Sequence, residues 1–126
     1  MSPDRIEFRL GAGALSGWIH LRHPSKNDRA EVPMFGWHKY PAWVIYGLYV
    51  HPLRRNKGWG SMLMEMAQEY ATVQGHDLFL YVIPYGNTRA KTKRQLQHFY
   101  RAFGFVHIPS KDESWYYWAS PRRRGR

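Results

Sequence analysis

The stretch YVHPLRRNKGWGSML, Tyr49 to Leu63, sets three basic residues and two glycines between a strand-like run and a helix-like run. Upstream, AWVIYGLYV (Ala42 to Val50) is an unbroken run of β-branched and aromatic residues, the pattern of a strand buried on both faces. Downstream, Met62, Leu63, Met66, Tyr70 and Val73 recur at three- and four-residue steps, which predicts a helix over Ser61 to Gln74 closed by Gly75. DLFLYVIPY (Asp77 to Tyr85) then reads as a second buried strand. Strand, helix and strand in that length predict a crossover unit with two parallel strands. At the helix start, the N–H groups of Arg55 to Ser61 gather where unsatisfied donors and the helix dipole favour an anion, phosphate above all. Gly58 and Gly60 let the backbone approach such a ligand, and Arg55 and Lys57 add charge. The spacing R-x-x-G-x-G fits neither a P-loop nor a dinucleotide fingerprint. Read alone, the hexamer suits a phosphate cradle and a bare glycine turn equally well.

Working outward, IEFRL (Ile6 to Leu10) and GWIHLRH (Gly17 to His23) alternate apolar and polar residues across a glycine-rich connection, as an opening hairpin does. From Pro24 to Pro41 the chain turns polar and is punctuated by Pro and Gly, although Met34, Phe35 and Trp37 suit a loop folded over a pocket. No helical period shows there. Gly47, inside the long apolar strand, marks a bulge or a close approach of ligand or backbone. Towards the C-terminus, RQLQHFYRAFGF presents Leu96, Phe99, Tyr100 and Phe103 as one helical face ended by Gly104; FVHIP and SWYYWAS read as two last strands. Trp115, Tyr116 and Trp118 suit core or sheet pairing better than base stacking or an acceptor pocket.

The chain has 126 residues, enough for one modest core, so residues 1–120 are expected to form a single domain and 121–126 a basic tail, PRRRGR. Lys and Arg number 19 against 9 acidic residues, a formal charge of +10, which favours anionic partners before any specific contact forms. Residues 84–104 carry Arg89, Lys91, Lys93, Arg94 and Arg101 and no acid. With no cysteine, disulfides, a thiolate nucleophile and Cys-based zinc sites are excluded. The histidines have no metal-ligand spacing on a predicted helix, so no metal is expected. No apolar run approaches the ~20 residues needed to span a bilayer, and the start MSPDRIEF lacks a secretory pattern, so a soluble cytoplasmic protein without membrane contact is the expectation.

VHPLRRNKGWG resembles the V-x-P-x-x-R-x-x-G-x-G acyl-CoA signature of the GNAT superfamily of N-acyltransferases, matched at Val50, Pro52, Arg55, Gly58 and Gly60. FYRAFGF resembles that superfamily's later F-Y-x-x-x-G-F segment at Phe99, Tyr100, Gly104 and Phe105. The resemblance covers Ala42 to about Ala119. It implies an α+β or α/β fold: a mixed, mostly antiparallel sheet flanked by helices, with a central parallel strand pair splayed at the cofactor site. It also implies acetyl-CoA as cosubstrate, its pyrophosphate on the amides of Arg55, Asn56, Lys57, Gly58, Trp59, Gly60 and Ser61, and its pantetheine along Leu48, Tyr49 and Val50. Gly47 is then placed to assist the splay. Tyr100 matches the family tyrosine that protonates the departing thiolate, a role that a phenol of pKa ~10 suits.

The sequence also departs from the family pattern. About thirty residues separate the GWIHLRH segment from the turn, so the N-terminal helices that usually wall the acceptor site are abbreviated. The position seven residues before the tyrosine, often Asn in the family, is Lys93; Asn87, farther upstream, is the replacement candidate for contacting CoA. Arg89, Lys91, Lys93 and Arg94 suit a solvated loop, a nucleotide phosphate or an acidic partner. A lysine acceptor, of pKa ~10.4, must lose a proton before attack, and Glu31, His38 and His51 are base candidates from chain position alone. The resemblance thus implies an N-acetyltransferase acting on a primary amine of a protein lysine, a protein N-terminus or a small molecule, as a monomer or homodimer. The alternative is a binding module of the same fold that docks its basic surface on nucleic acid or an acidic protein.

Overall fold

The computed structural model describes residues 4–32, 41–54, 57–81, 93–109 and 115–121. β1 (Arg5–Leu10) and β2 (Gly17–Arg22) form the opening hairpin, α1 (Lys26–Glu31) follows, and β3 (Ala42–Val50) leads through a single 3-10 turn (Pro52–Arg54) into α2 (Trp59–Gln74). β4 (Asp77–Tyr81), α3 (Lys93–Ala102), β5 (Val106–His107) and β6 (Trp115–Trp118) complete the order. The sheet runs β1-β2-β3-β4-β6-β5, with β3 and β4 parallel and every other pair antiparallel. This is the mixed sheet with a central parallel pair that the sequence predicts.

α2 and α3 pack on one face of the sheet. Ile19, Leu21, Trp43, Ile45, Leu78, Leu80, Tyr116 and Trp118 from alternate strand positions meet Leu63, Met64, Ala67 and Ala71 of α2 there, along with Tyr100 of α3. Leu96, Phe99 and Phe103 border this core, so the expected face of α3 holds. Gly104, with φ +89°, ends the helix in the left-handed region, and its N–H donates to the Arg101 carbonyl at 3.0 Å. A smaller cluster of Val32, Ala42, Val44, Phe79, Ile108 and Trp115 lies on the opposite face. Trp115, Tyr116 and Trp118 are buried, as the core reading has it.

Four expectations are corrected. α2 begins at Trp59, two residues before Ser61, and its buried stripe runs Leu63, Met64, Ala67, Ala71, leaving Met62 42% and Val73 65% exposed. Two alanines let the helix lie close to the sheet, and a reading that follows large side chains passes over them. β3 is buried on both faces only from Ala42 to Ile45; Tyr46 and Tyr49 are each 37% exposed. The last two strands are shorter than FVHIP and SWYYWAS. Finally, α1 exists inside the stretch read as loop. Its start is a capping box, in which Asp28 N–H donates to Ser25 Oγ at 3.2 Å and Ser25 N–H to Asp28 Oδ2 at 2.8 Å. Six residues are too few to show a period.

Candidate functional site

β3 carries a bulge. Leu21 pairs with Ile45 and His20 with Gly47, so Tyr46 is an extra residue on β3. Gly47 is required by its neighbours as well: a Cβ there would lie 2.9 Å from the Trp18 ring. Among the described residues, pairing between β3 and β4 runs as far as Ile45–Leu80, and pairing between β3 and β2 continues to Val50. The last described pair of the parallel strands thus lies immediately before the bulge. Leu48, Tyr49 and Val50 occupy the half of β3 beyond it; Leu48 and Val50 border the core under α2, and Tyr49 turns to the other face, 5.5 Å from the Trp18 ring.

Beyond β3, the His51 imidazole accepts the Leu53 N–H at 3.1 Å and so shapes the turn, which argues for a local role over that of a base. Gly58 is the N-cap of α2 with φ +81°, a left-handed conformation that glycine adopts without penalty. Among the described residues no side chain caps this helix and no acidic residue lies in its first turn, an arrangement in which leading N–H groups favour an anion. The Trp59 indole turns away: Cβ atoms built at Gly11 and Gly17 would fall 2.9 and 3.3 Å from it, so it anchors α2 against the β1–β2 hairpin and leaves its backbone to a ligand. The Arg54 guanidinium lies over that ring at 5.5 Å.

A cavity of about 670 Å³ opens beside this turn, lined by Ser61 of α2 and by Arg94, His98, Phe99 and Phe103 of α3. A Cβ at Gly60 would sit 3.7 Å from Cζ of Phe99, one of the side chains that line the cavity. Tyr100, 6% exposed, lies on the core side of α3, its ring 5.4 Å from that of Phe99. Lys57, Gly58, Trp59, Gly60 and Ser61 are thus gathered at one helix end, with Leu48, Tyr49 and Val50 on the strand leading to it. Arg55, Asn56, Asn87 and His38 lie outside the described residues. Glu31, half-buried, ends α1.

A group absent from the sequence reading sits on the sheet face opposite α2 and α3. His20 Nε2 lies 2.6 Å from Glu7 Oε1 across the β1–β2 ladder, and the imidazole stacks on Trp18 at 4.0 Å. Arg9 holds the same carboxylate at 3.0 and 3.2 Å. First the Arg9 guanidinium and then the His20 imidazole hold Glu7 down to about 2, so it is ionised at neutral pH. Only the pairing Glu7↔His20 joins the two residues, a register that alternation alone does not disclose.

Residues 10–105 match the profile described as "Acetyltransferase (GNAT) family", and the chain belongs to that family. No curated protein sequence matches it. Among solved structures, the anti-CRISPR protein AcrVA5 superposes with a TM-score of 0.61 over 90% of this chain and 98% of its own, at 18% identity. AtaTR bound with acetyl-CoA gives 0.59 over 86% and 60%, at 15% identity. The KacTA–DNA complex gives 0.61 over 86% and 61%, again at 15%. The chain spans about three-fifths of the length of these last two. At such identities the likeness is one of fold.

Proposed function

We propose that the protein transfers an acetyl group from acetyl-CoA to a primary amine by direct attack on the bound thioester. The observation that carries this reading is the alignment of a glycine N-terminus on α2 with a bulged strand whose described pairing to its parallel partner stops at Ile45. From Val50 back to Ile45 is five residues, ~17 Å at the ~3.3 Å rise of a strand. That is close to the reach of an extended pantetheine arm, so a pyrophosphate on the α2 amides sets the thioester beside the bulge. The amides of Lys57 to Ser61 then bind the pyrophosphate, and backbone groups of Leu48 to Val50 align the arm. Arg94 and His98, lining the adjoining cavity, meet the nucleotide end. Arg55 and Asn56 are proposed contacts from motif position, and Asn87 is the proposed replacement for the family asparagine whose position Lys93 occupies.

In this reading an amide of the splayed strand steadies the oxyanion and Tyr100 gives its phenolic proton to sulfur. Calorimetric titration with acetyl-CoA tests the first step: the expected outcome is one site per chain, and absence of binding refutes the reading. Tyr100→Phe should cut turnover by about 10²-fold while leaving acetyl-CoA affinity nearly intact. A comparable loss of affinity would show that Tyr100 binds and does not donate.

The formal charge of +10 favours a second reading, in which the scaffold docks on nucleic acid or an acidic protein. The KacTA structure was solved with DNA, which supports considering this surface chemistry on the same fold. Nucleic-acid affinity that falls steeply with salt, with no acetyl transfer to any amine, would favour it over the enzyme.

A further inference from the structure

Resting on the transferase reading, we infer that His20, oriented by Glu7, is the general base that takes the proton from the acceptor amine. Three features converge on it. The first is position: His20 is the register partner of Gly47, next to the bulge and close to Ile45–Leu80, the last described pair of β3 with β4. The second is direction. An ionised carboxylate only accepts, so Nε2 carries the hydrogen shared with Glu7, and the lone pair of the neutral ring is on Nδ1. Nδ1 faces β3, 3.8 Å from where a Gly47 Cβ would stand. A side chain at residue 47 would stand between that nitrogen and the strand; glycine keeps the approach open.

The third is surroundings. The groups facing His20 are Glu7 and Arg9 from β1, Trp18 and Arg22 from β2, and Tyr46 and Tyr49 from β3. Arg22 is itself engaged by Asp28 of α1 and lies 5.7 Å from the Tyr46 ring centre. Trp18 fixes the imidazole plane from one side and Tyr46, 5.5 Å away, from another. Glu7 does for His20 what a carboxylate does for any catalytic histidine: it sets the tautomer and stabilises the imidazolium once the proton arrives.

The proton account balances. An alkylammonium acceptor gives one proton to His20 Nδ1 and becomes the neutral amine. Its nitrogen forms the C–N bond as the C–S bond breaks, and the thiolate takes a proton from Tyr100. The second proton shed by nitrogen restores the phenol, and His20 returns its own to solvent.

The test uses the full chain with labelled acetyl-CoA, whole-cell lysate proteins as acceptors, and initial rates of label incorporation from about pH 6 to 9. His20→Gln should lower the rate near pH 7 by about 10²-fold and recover as pH rises and the amine deprotonates unaided. Its acetyl-CoA affinity by calorimetry should stay within about twofold of wild type. Glu7→Gln should retain more activity than His20→Gln and shift the acidic limb of the pH profile, an effect that loss of packing does not produce. If His20→Gln keeps the wild-type rate and profile, the inference is overturned while the transferase reading stands. If wild type fails to bind acetyl-CoA, it is the transferase reading that falls.

Discussion

Replacing Gly60 with alanine separates what the helix wants from what a ligand wants. In the free protein the substitution carries no steric charge: φ is not positive, and the new methyl meets only Phe99 at an ordinary 3.7 Å. Alanine in place of glycine within a helix gains roughly 0.5–1 kcal/mol. With an unfolding entropy of about 2.1 cal/mol/K per residue over this chain, that is a rise in Tm of ~2–4 °C. The same methyl, however, points to Phe99, which lines the cavity, and stands beside the leading amides of α2, where the proposed pyrophosphate comes close. Losing one charge-assisted hydrogen bond costs ~1.5–3 kcal/mol, or about 10- to 150-fold in acetyl-CoA affinity. Thermal unfolding followed by circular dichroism, with calorimetric titration on the same preparation, reads both effects. A variant that is more stable and binds with wild-type affinity would refute the role given to this turn. Gly58→Ala is the contrast. At φ +81°, with no described residue within 4 Å of the new methyl, alanine incurs backbone strain, so a loss of ~1–2 kcal/mol in stability is expected.

Tyr117→Phe should destabilise the fold by about 1–2 kcal/mol in urea unfolding, because the phenol donates to the fully buried Asp77 at 2.7 Å and Phe keeps the shape while deleting the donor. Asp28 sets an acid limit. Burial pushes its carboxyl up, but the Arg22 guanidinium and the Ser25 N–H outweigh that and hold it below its usual value. A depressed carboxyl contributes stability that is present above its unfolded pKa of ~3.9 and lost as pH falls through the lower folded value. The gap in urea midpoint between wild type and Asp28→Asn should therefore be constant from neutral pH to about 5 and close below about 4. A gap unchanged by acid would contradict the pairing.

The parts of this fold that declare themselves in sequence are those whose signal is local. The long apolar strand, the glycine turn and the amphipathic face of α3 can each be read from neighbours a few residues apart. Gly47 is a borderline case, since a strand glycine announces a bulge but not its register. What stayed hidden depended on distance or on small size. His20 and Glu7 are ordinary polar positions of alternating strands until the hairpin register brings them together, thirteen residues apart in the chain. Ala67 and Ala71 carry little hydrophobic weight, yet they decide which side of α2 meets the sheet. Ser25 and Asp28 spell a capping box, but no apolar run follows to advertise the helix it starts. The contact of His51 is with its own backbone two residues on, a partner that chain position does not name.

The two ends of the sheet bear on how this protein meets others. Among the described residues β5 is two residues long, and β1 alternates Arg5, Glu7 and Arg9 with its inward apolar residues. Short or charge-bearing border strands are poor templates for a visiting strand, so neither border invites the open-ended stacking that leads to fibrils. With strand addition disfavoured at both borders, any macromolecular contact of the kind proposed above is left to side-chain charge and shape, the kind that added salt weakens.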